Sequence, residues 1–177
     1  KLIFESLVCQ TYDDFEAIVV EDGNSSEMRQ FIEFAREAYG FYIVHTTQED
    51  IGVRKSESQN NGVKASTGEY LIFIDGDCLL YSDCIEKHVA ASSKMSIIAG
   101  RRVNLGPKYS EKLRAEELSV QWIEKNFILK YFSISNDAKS EKHTEEGLKI
   151  KLNGLLDIFI NQKRKKRFPL LGCNMSC

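Results

Sequence analysis

The stretch Tyr70-Leu71-Ile72-Phe73-Ile74-Asp75-Gly76-Asp77 narrows the possible folds of this chain sharply. Aromatic and aliphatic residues run without a break into two carboxylates separated by one glycine. An apolar run of this length, with Gly68 ahead of it, reads as a strand buried on both faces. Asp75 and Asp77 then fall at its carboxyl end, where an open parallel sheet binds its ligands. Two carboxylates this close raise each other's pKa, and a divalent cation removes that conflict. Oxygen-only donors on a tight turn suit Mg or Mn, metals that also hold phosphates. The expectation is a metal site for a nucleotide diphosphate. The alternative is a strand end whose aspartates cap the next helix and stay solvated.

The flanking sequence predicts where this strand sits. Leu2–Val8 has the apolar spacing of an amphipathic helix end, with Phe4, Leu7 and Val8 on its buried side. Phe15–Val20 is rich in β-branched and apolar residues and predicts a second strand. It ends in Glu21-Asp22-Gly23-Asn24-Ser25-Ser26, again placing a carboxylate and a glycine at a strand's carboxyl end. Ser25 or Ser26 is suited to cap the helix that carries Met28, Phe31, Ile32, Ala35 and Tyr39, which Gly40 stops. Phe41–Val44 predicts a third strand, Asp50–Arg54 a loop and Ser56–Ser66 a helix. Strand and helix thus alternate, which is the pattern of an α/β protein: a mostly parallel sheet with helices on both faces. The handedness of such crossovers turns the strand ends the same way, so Asp22, Arg54, Asp75 and Asp77 should face one crevice.

Beyond the aspartates, Ser82–Ser92 predicts a helix on which His88 reads as a half-buried structural residue. Ser96–Gly100 predicts a strand leading into Arg101-Arg102, which face phosphates or hold the sheet edge through carboxylates. After Pro107 the pattern changes to a helical excursion. Glu111–Tyr131 reads as one long amphipathic helix with Leu113, Val120, Ile123, Phe127 and Tyr131 on one face and Trp122 beside them in the core. Ser133–Glu146 is polar and reads as a loop, and Leu148–Ile160 as another helix. These stripes leave two readings, packing inside the protein or against a partner, a homo-oligomer among them. Lys163-Arg164-Lys165-Lys166-Arg167 is either a solvated segment or a peripheral contact with an anionic membrane surface. The net charge of -2 argues against a general nucleic-acid binder. No apolar run reaches the ~18 residues of a membrane span. The five cysteines are odd in number and form no Cys-x-x-Cys pair, which favours reduced thiols in the cytoplasm.

Several motifs stand in one order. Ser6-Leu7 with Gln10-Thr11-Tyr12 is similar to an "SL-x-x-QTY" segment, and Val19–Ser25 to "VVDDGS". Gly52-x-Arg54 and Asn60-x-Gly62 are similar to "GFR … RN-x-G". Thr67-Gly68-Glu69-Tyr70 runs into the Asp75-Gly76-Asp77 of a DXD motif, and Gly172-Cys173-Asn174-Met175-Ser176 is similar to "GGNMS". Together they resemble the inverting glycosyltransferases of family 2, which have the GT-A fold, and within them the branch of chondroitin-polymerase-like and β-galactosyltransferase-like enzymes. The resemblance covers Lys1–Leu105 and the final eight residues.

The resemblance implies three parts: a nucleotide-sugar (donor) half over 1–105, a helical excursion over 106–169, and the start of the acceptor side over 170–177. It implies that Asp22 accepts a hydrogen bond from uracil, and that Arg54 and Asn60 line the nucleotide pocket. Asp75 and Gly76 belong to the ribose and metal side, and Asp77 is the direct ligand of Mn or Mg. The donor would be a UDP-linked hexose or N-acetylhexosamine, and the acceptor a saccharide or lipid-linked saccharide in polysaccharide or lipopolysaccharide synthesis. The pattern departs from the family's at Gln59, where arginine is usual, and at Cys173, where glycine is usual. The family's first strand and its Glu-Asp catalytic base have no counterpart in this sequence, so the expectation is a chain cut at both ends, with its general base beyond Cys177. Two other readings are a sugar-phosphate nucleotidyltransferase and a non-catalytic nucleotide-sugar-binding module.

Overall fold

The structure is a computed structural model that describes residues 1–93, 96–100, 102–138 and 174–177. Arg101, the basic run Lys163–Arg167, the helix expected over Leu148–Ile160, Gly172 and Cys173 lie outside the described residues.

Strands β1 (Glu16–Val20) and β2 (Tyr42–Thr46) pair in parallel, with Glu16 opposite Tyr42 and Val20 opposite Thr46. Side chains alternate across a strand, so Ala17 and Val19 face one way and Ile18 and Val20 the other. On the first face lie helices α1 (Leu2–Val8) and α2 (Ser26–Ala38). Phe4, Ile32, Ala35 and Ile43 form the core there, with Ala17, Val19, Phe31, Tyr39 and Phe41 around them. Phe4 anchors it by meeting Phe31 edge-on and Tyr39 nearly stacked, both at 5.4 Å between ring centroids. Ser25 caps α2, its hydroxyl accepting from Met28 N at 3.2 Å. Helix α3 (Lys55–Ala65) covers the other face. At Gly62 an added Cβ would lie 2.3 Å from Val20 Cγ1. The motif glycine is therefore what lets α3 press against β1. Helices do flank both faces of the parallel pair.

The turn from α3 toward the central strand is tied to the start of β1. Glu16 Oε1 accepts from Thr67 N at 2.6 Å, from the Thr67 hydroxyl at 2.9 Å and from Gly68 N at 3.0 Å. These bonds, the backbone amide of Thr67 foremost, hold the Glu16 carboxyl below its usual 4.5.

The central strand β3 (Ile72–Ile74) is shorter than the apolar run predicts and is half-buried rather than sealed on both faces. The mostly parallel sheet takes in one reversed strand in this half. Strand β5 (Asn174–Ser176) lies between β3 and β4 (Ile98–Ala99) and is antiparallel to both. The pairing continues past β5, where Leu71 and Cys177 exchange backbone hydrogen bonds at 3.0 Å. The two sheets meet through a core of Leu7, Leu80 and Ile85 that also takes in Ala17, Ile72 and Ile74.

His88, on helix α4 (Cys84–Ala91), is buried and fastens β5. Its Nδ1 lies 2.6 Å from Ser176 Oγ and its Nε2 2.8 Å from Asn174 Oδ1, while Tyr70 Oη is 2.6 Å from Ser176 Oγ. One proton order satisfies the whole set: Tyr70 donates to Ser176, Ser176 to Nδ1, and Nε2–H to Asn174. The structural reading of His88 holds, with a deeper burial than expected.

The stretch expected to be one long helix is broken. Helices α5 (Pro107–Arg114), α6 (Val120–Asn126) and α7 (Tyr131–Asp137) replace it. Glu116 takes a left-handed φ of 59, which no helix continues through, and Ser119 Oγ then accepts from Trp122 N at 3.1 Å to start α6. Of the expected Ser133–Glu146 loop, the residues up to Asp137 belong to α7, Ala138 follows as its buried C-cap, and 139–146 lie outside the described residues. The predicted stripe is nonetheless consumed inside the protein. Tyr109, Leu113, Ile123, Phe127 and Ile134 form a core of their own, with Trp122, Tyr131, Leu2 and Leu79 packed on it.

Candidate active site

The carboxyl ends of β1 and β2 open into a cavity of about 660 Å3 lined by Glu21, Asp22, Gly23, Asn24, Ser25, Thr47, Gln48, Glu49 and Asp50. Two loops make it, one after each strand. They are zipped together by Glu21 N donating to Thr46 O at 2.9 Å and Gln48 N donating to Gly23 O at 3.1 Å. From the lining, Glu21 Oε2 reaches back to His45 Nε2 at 3.0 Å, with side chains only 14% and 8% exposed. Glu21 Oε1 also accepts from Ser25 N at 2.8 Å, so one half-buried glutamate fixes both the strand end and the start of α2.

Asp22 is oriented from two sides. Gln48 Nε2 donates to its Oδ1 at 2.6 Å and Arg54 N donates to its Oδ2 at 2.5 Å. A carboxylate has about four lone-pair positions, so each oxygen can still accept from a ligand. Arg54 reaches Asp22 through its backbone, whereas its guanidinium folds back onto Glu57 Oε2 at 3.0 Å and onto the Glu49 carbonyl. The loop bends at Gly52, whose φ of +68 is the left-handed conformation glycine adopts readily.

Asp75 follows β3 directly and forms an ion pair with Lys55, the first residue of α3. The first turn of α3 therefore reaches both strand ends: Asp22 through the Arg54 amide and Asp75 through the Lys55 ammonium. Gly76 and Asp77 are exposed in the turn beyond, where a Cβ at Gly76 would meet nothing within 4 Å. Cys78 Sγ donates to Asp77 Oδ1 at 3.6 Å. Asp75 and Asp77 are not part of the cavity lining, and among the described residues no group of three or more His, Cys, Asp and Glu side chains forms a metal cluster.

Asn60 is exposed on α3. Its neighbour Asn61 bonds a residue of the cavity lining, donating to Gln48 Oε1 at 3.2 Å. Sequence reasoning passed over Gln48, His45 and Lys55. Gln48 and Lys55 sit at loop and helix-start positions just past strand ends, the same address that singled out Asp22 and Asp75.

An α/β layer with a polar cavity at its strand ends has the place where open α/β sheets take their ligands, and the start of α3 bonds the acidic residues Asp22 and Asp75 that follow β1 and β3. Residues 2–147 match Glycosyl transferase family 2, and the chain belongs to that family and has its GT-A fold. It is similar to an uncharacterized glycosyltransferase of Rickettsia bellii, at 26% identity over 119 residues that make up 65% of this chain and 17% of the relative. It is also similar to the putative glycosyltransferase EpsH of Bacillus subtilis, at 32% identity over 88 residues, 49% of this chain and 24% of the relative. With glycosyltransferase GlyA of Streptococcus pneumoniae it shares 30% identity over 83 residues, 46% of this chain and 11% of the relative. The chain thus spans a quarter or less of these relatives.

Proposed function

We propose that this chain carries the donor-binding part of a metal-dependent, inverting glycosyltransferase that takes a hexose or N-acetylhexosamine from a UDP-sugar. The observation that supports the reading is that two successive residues at the start of α3, Arg54 and Lys55, bond Asp22 and Asp75 in a chain of this family. The cavity is acidic, through Glu21, Asp22, Glu49 and Asp50. Such a lining offers acceptors to base N–H groups and ribose hydroxyls and repels phosphates. The base and ribose therefore belong in the cavity, with Asp22 accepting from the uracil ring, and the diphosphate belongs toward Asp75 and Asp77.

The donor set at that end fits Mn or Mg. Asp75 and Asp77 are hard oxygen donors, and Asp75 already holds a cation in the Lys55 ammonium. The metal would neutralise the leaving diphosphate as a Lewis acid. Two carboxylates leave room for phosphate oxygens and water to complete its shell. The attacking hydroxyl would come from a saccharide or lipid-linked saccharide of a growing surface polysaccharide, on the cytoplasmic side. The proposal assigns the general base to none of the carboxylates of this chain.

Calorimetric titration with UDP, with and without Mn, tests the reading. Binding is expected to require Mn and to disappear in Asp77→Asn. Binding that ignores both would overturn it.

A further inference from the structure

We propose that Lys55 is an internal counter-ion of Asp75 that a divalent metal must displace, and that this exchange couples metal binding to diphosphate binding. The inference rests on the reading of Asp75 and Asp77 as the metal end of the donor site.

The ammonium of Lys55 is bonded to Asp75 Oδ1. Lys55 opens α3, where free backbone N–H groups already carry partial positive charge. A lysine there is disfavoured unless an anion answers it, and Asp75 is an anion that does. The two side chains are 57% and 28% exposed, so the pair is only partly desolvated and exchanges without exposing a buried charge. The exchange also leaves α3 in place, because the Arg54 amide still holds Asp22.

A metal arriving alone must therefore compete with the ammonium for Asp75, two cations at one carboxylate. A metal arriving with a diphosphate does not, because the phosphates answer the displaced ammonium. Each ligand then strengthens the other, and by the same factor in both directions.

The test is Mn binding, followed by electron paramagnetic resonance of the free ion with and without UDP, in the wild type, Lys55→Met, Lys55→Arg and Asp77→Asn. Lys55→Met is expected to bind Mn alone about two- to fivefold more tightly than the wild type, the size of a half-exposed ion pair. UDP should then strengthen Mn binding by a smaller factor than in the wild type. Lys55→Arg keeps the charge and should follow the wild type in both. A residue with only a structural role would not tighten Mn binding when removed. Mn affinity unchanged or weaker in Lys55→Met, or an equal UDP effect, overturns the role of Lys55; if Asp77→Asn still abolishes Mn binding, the metal end itself stands. Mn binding absent from the wild type, or indifferent to Asp77→Asn, overturns both.

Discussion

Asp22 owes its orientation to a glutamine. Gln48 donates to Asp22 Oδ1, accepts from Asn61 and donates to the Arg54 carbonyl at 3.3 Å, so one amide joins the β1 end, the β2 end and α3. Gln48→Ala leaves Asp22 with the Arg54 amide and removes a hydrogen bond to a charged group. UDP affinity should fall about tenfold while the melting temperature moves little, as calorimetry and a thermal melt would show. The site carboxylates were legible in the sequence because each follows an apolar strand, and position alone picks them out. Gln48 was not legible in the same way. A loop amide has no periodicity, and its partners are fixed only when two strand ends lie side by side. Asn60 and Asn61 make the same point: the motif marks the right turn of α3, but the rotation of the helix decides which amide bonds the cavity lining.

Packing between α3 and β1 is close enough to depend on a missing side chain. Gly62→Ala would gain helix propensity, yet its methyl would meet Val20 Cγ1, and a β-branched side chain has little rotamer freedom to yield. A net destabilisation of roughly 1–3 kcal/mol is expected by urea unfolding. Gly40→Ala, with nothing within 4 Å, serves as the control that should stay near neutral. The alternating strands and helices up to Ile74 were readable because each element has its own period and its own punctuation. The excursion was readable as a buried stripe but not as three helices. Leu113, Ile123 and Phe127 keep helical spacing across the break, so the apolar pattern runs on where the backbone does not. The marks of the break were the polar Glu116-Glu117 and the capping Ser119.

The molecule as a whole is closed by a strand from the far end of its sequence. β5 pairs with β3 and β4, and His88 holds it through Ser176 and Asn174. His88→Ala would leave buried polar partners unanswered beside a cavity. It should cost roughly 3 kcal/mol, read as a lowered melting temperature. This closure was the least legible part of the fold. The segment stood out as a motif, but pairing between residues so far apart leaves no local period to read. The expectation of a mostly parallel sheet holds among the described strands, with β5 as the one reversed strand.

Helix α3 is held at three places: Gly62 lies flush on Val20, the Arg54 amide grips Asp22, and Lys55 grips Asp75. A rod pinned in this way cannot tilt toward one strand end without lifting from the other. Asp22 and Asp75 therefore share one support, and a substitution that lifts α3 from β1 is expected to disturb both together.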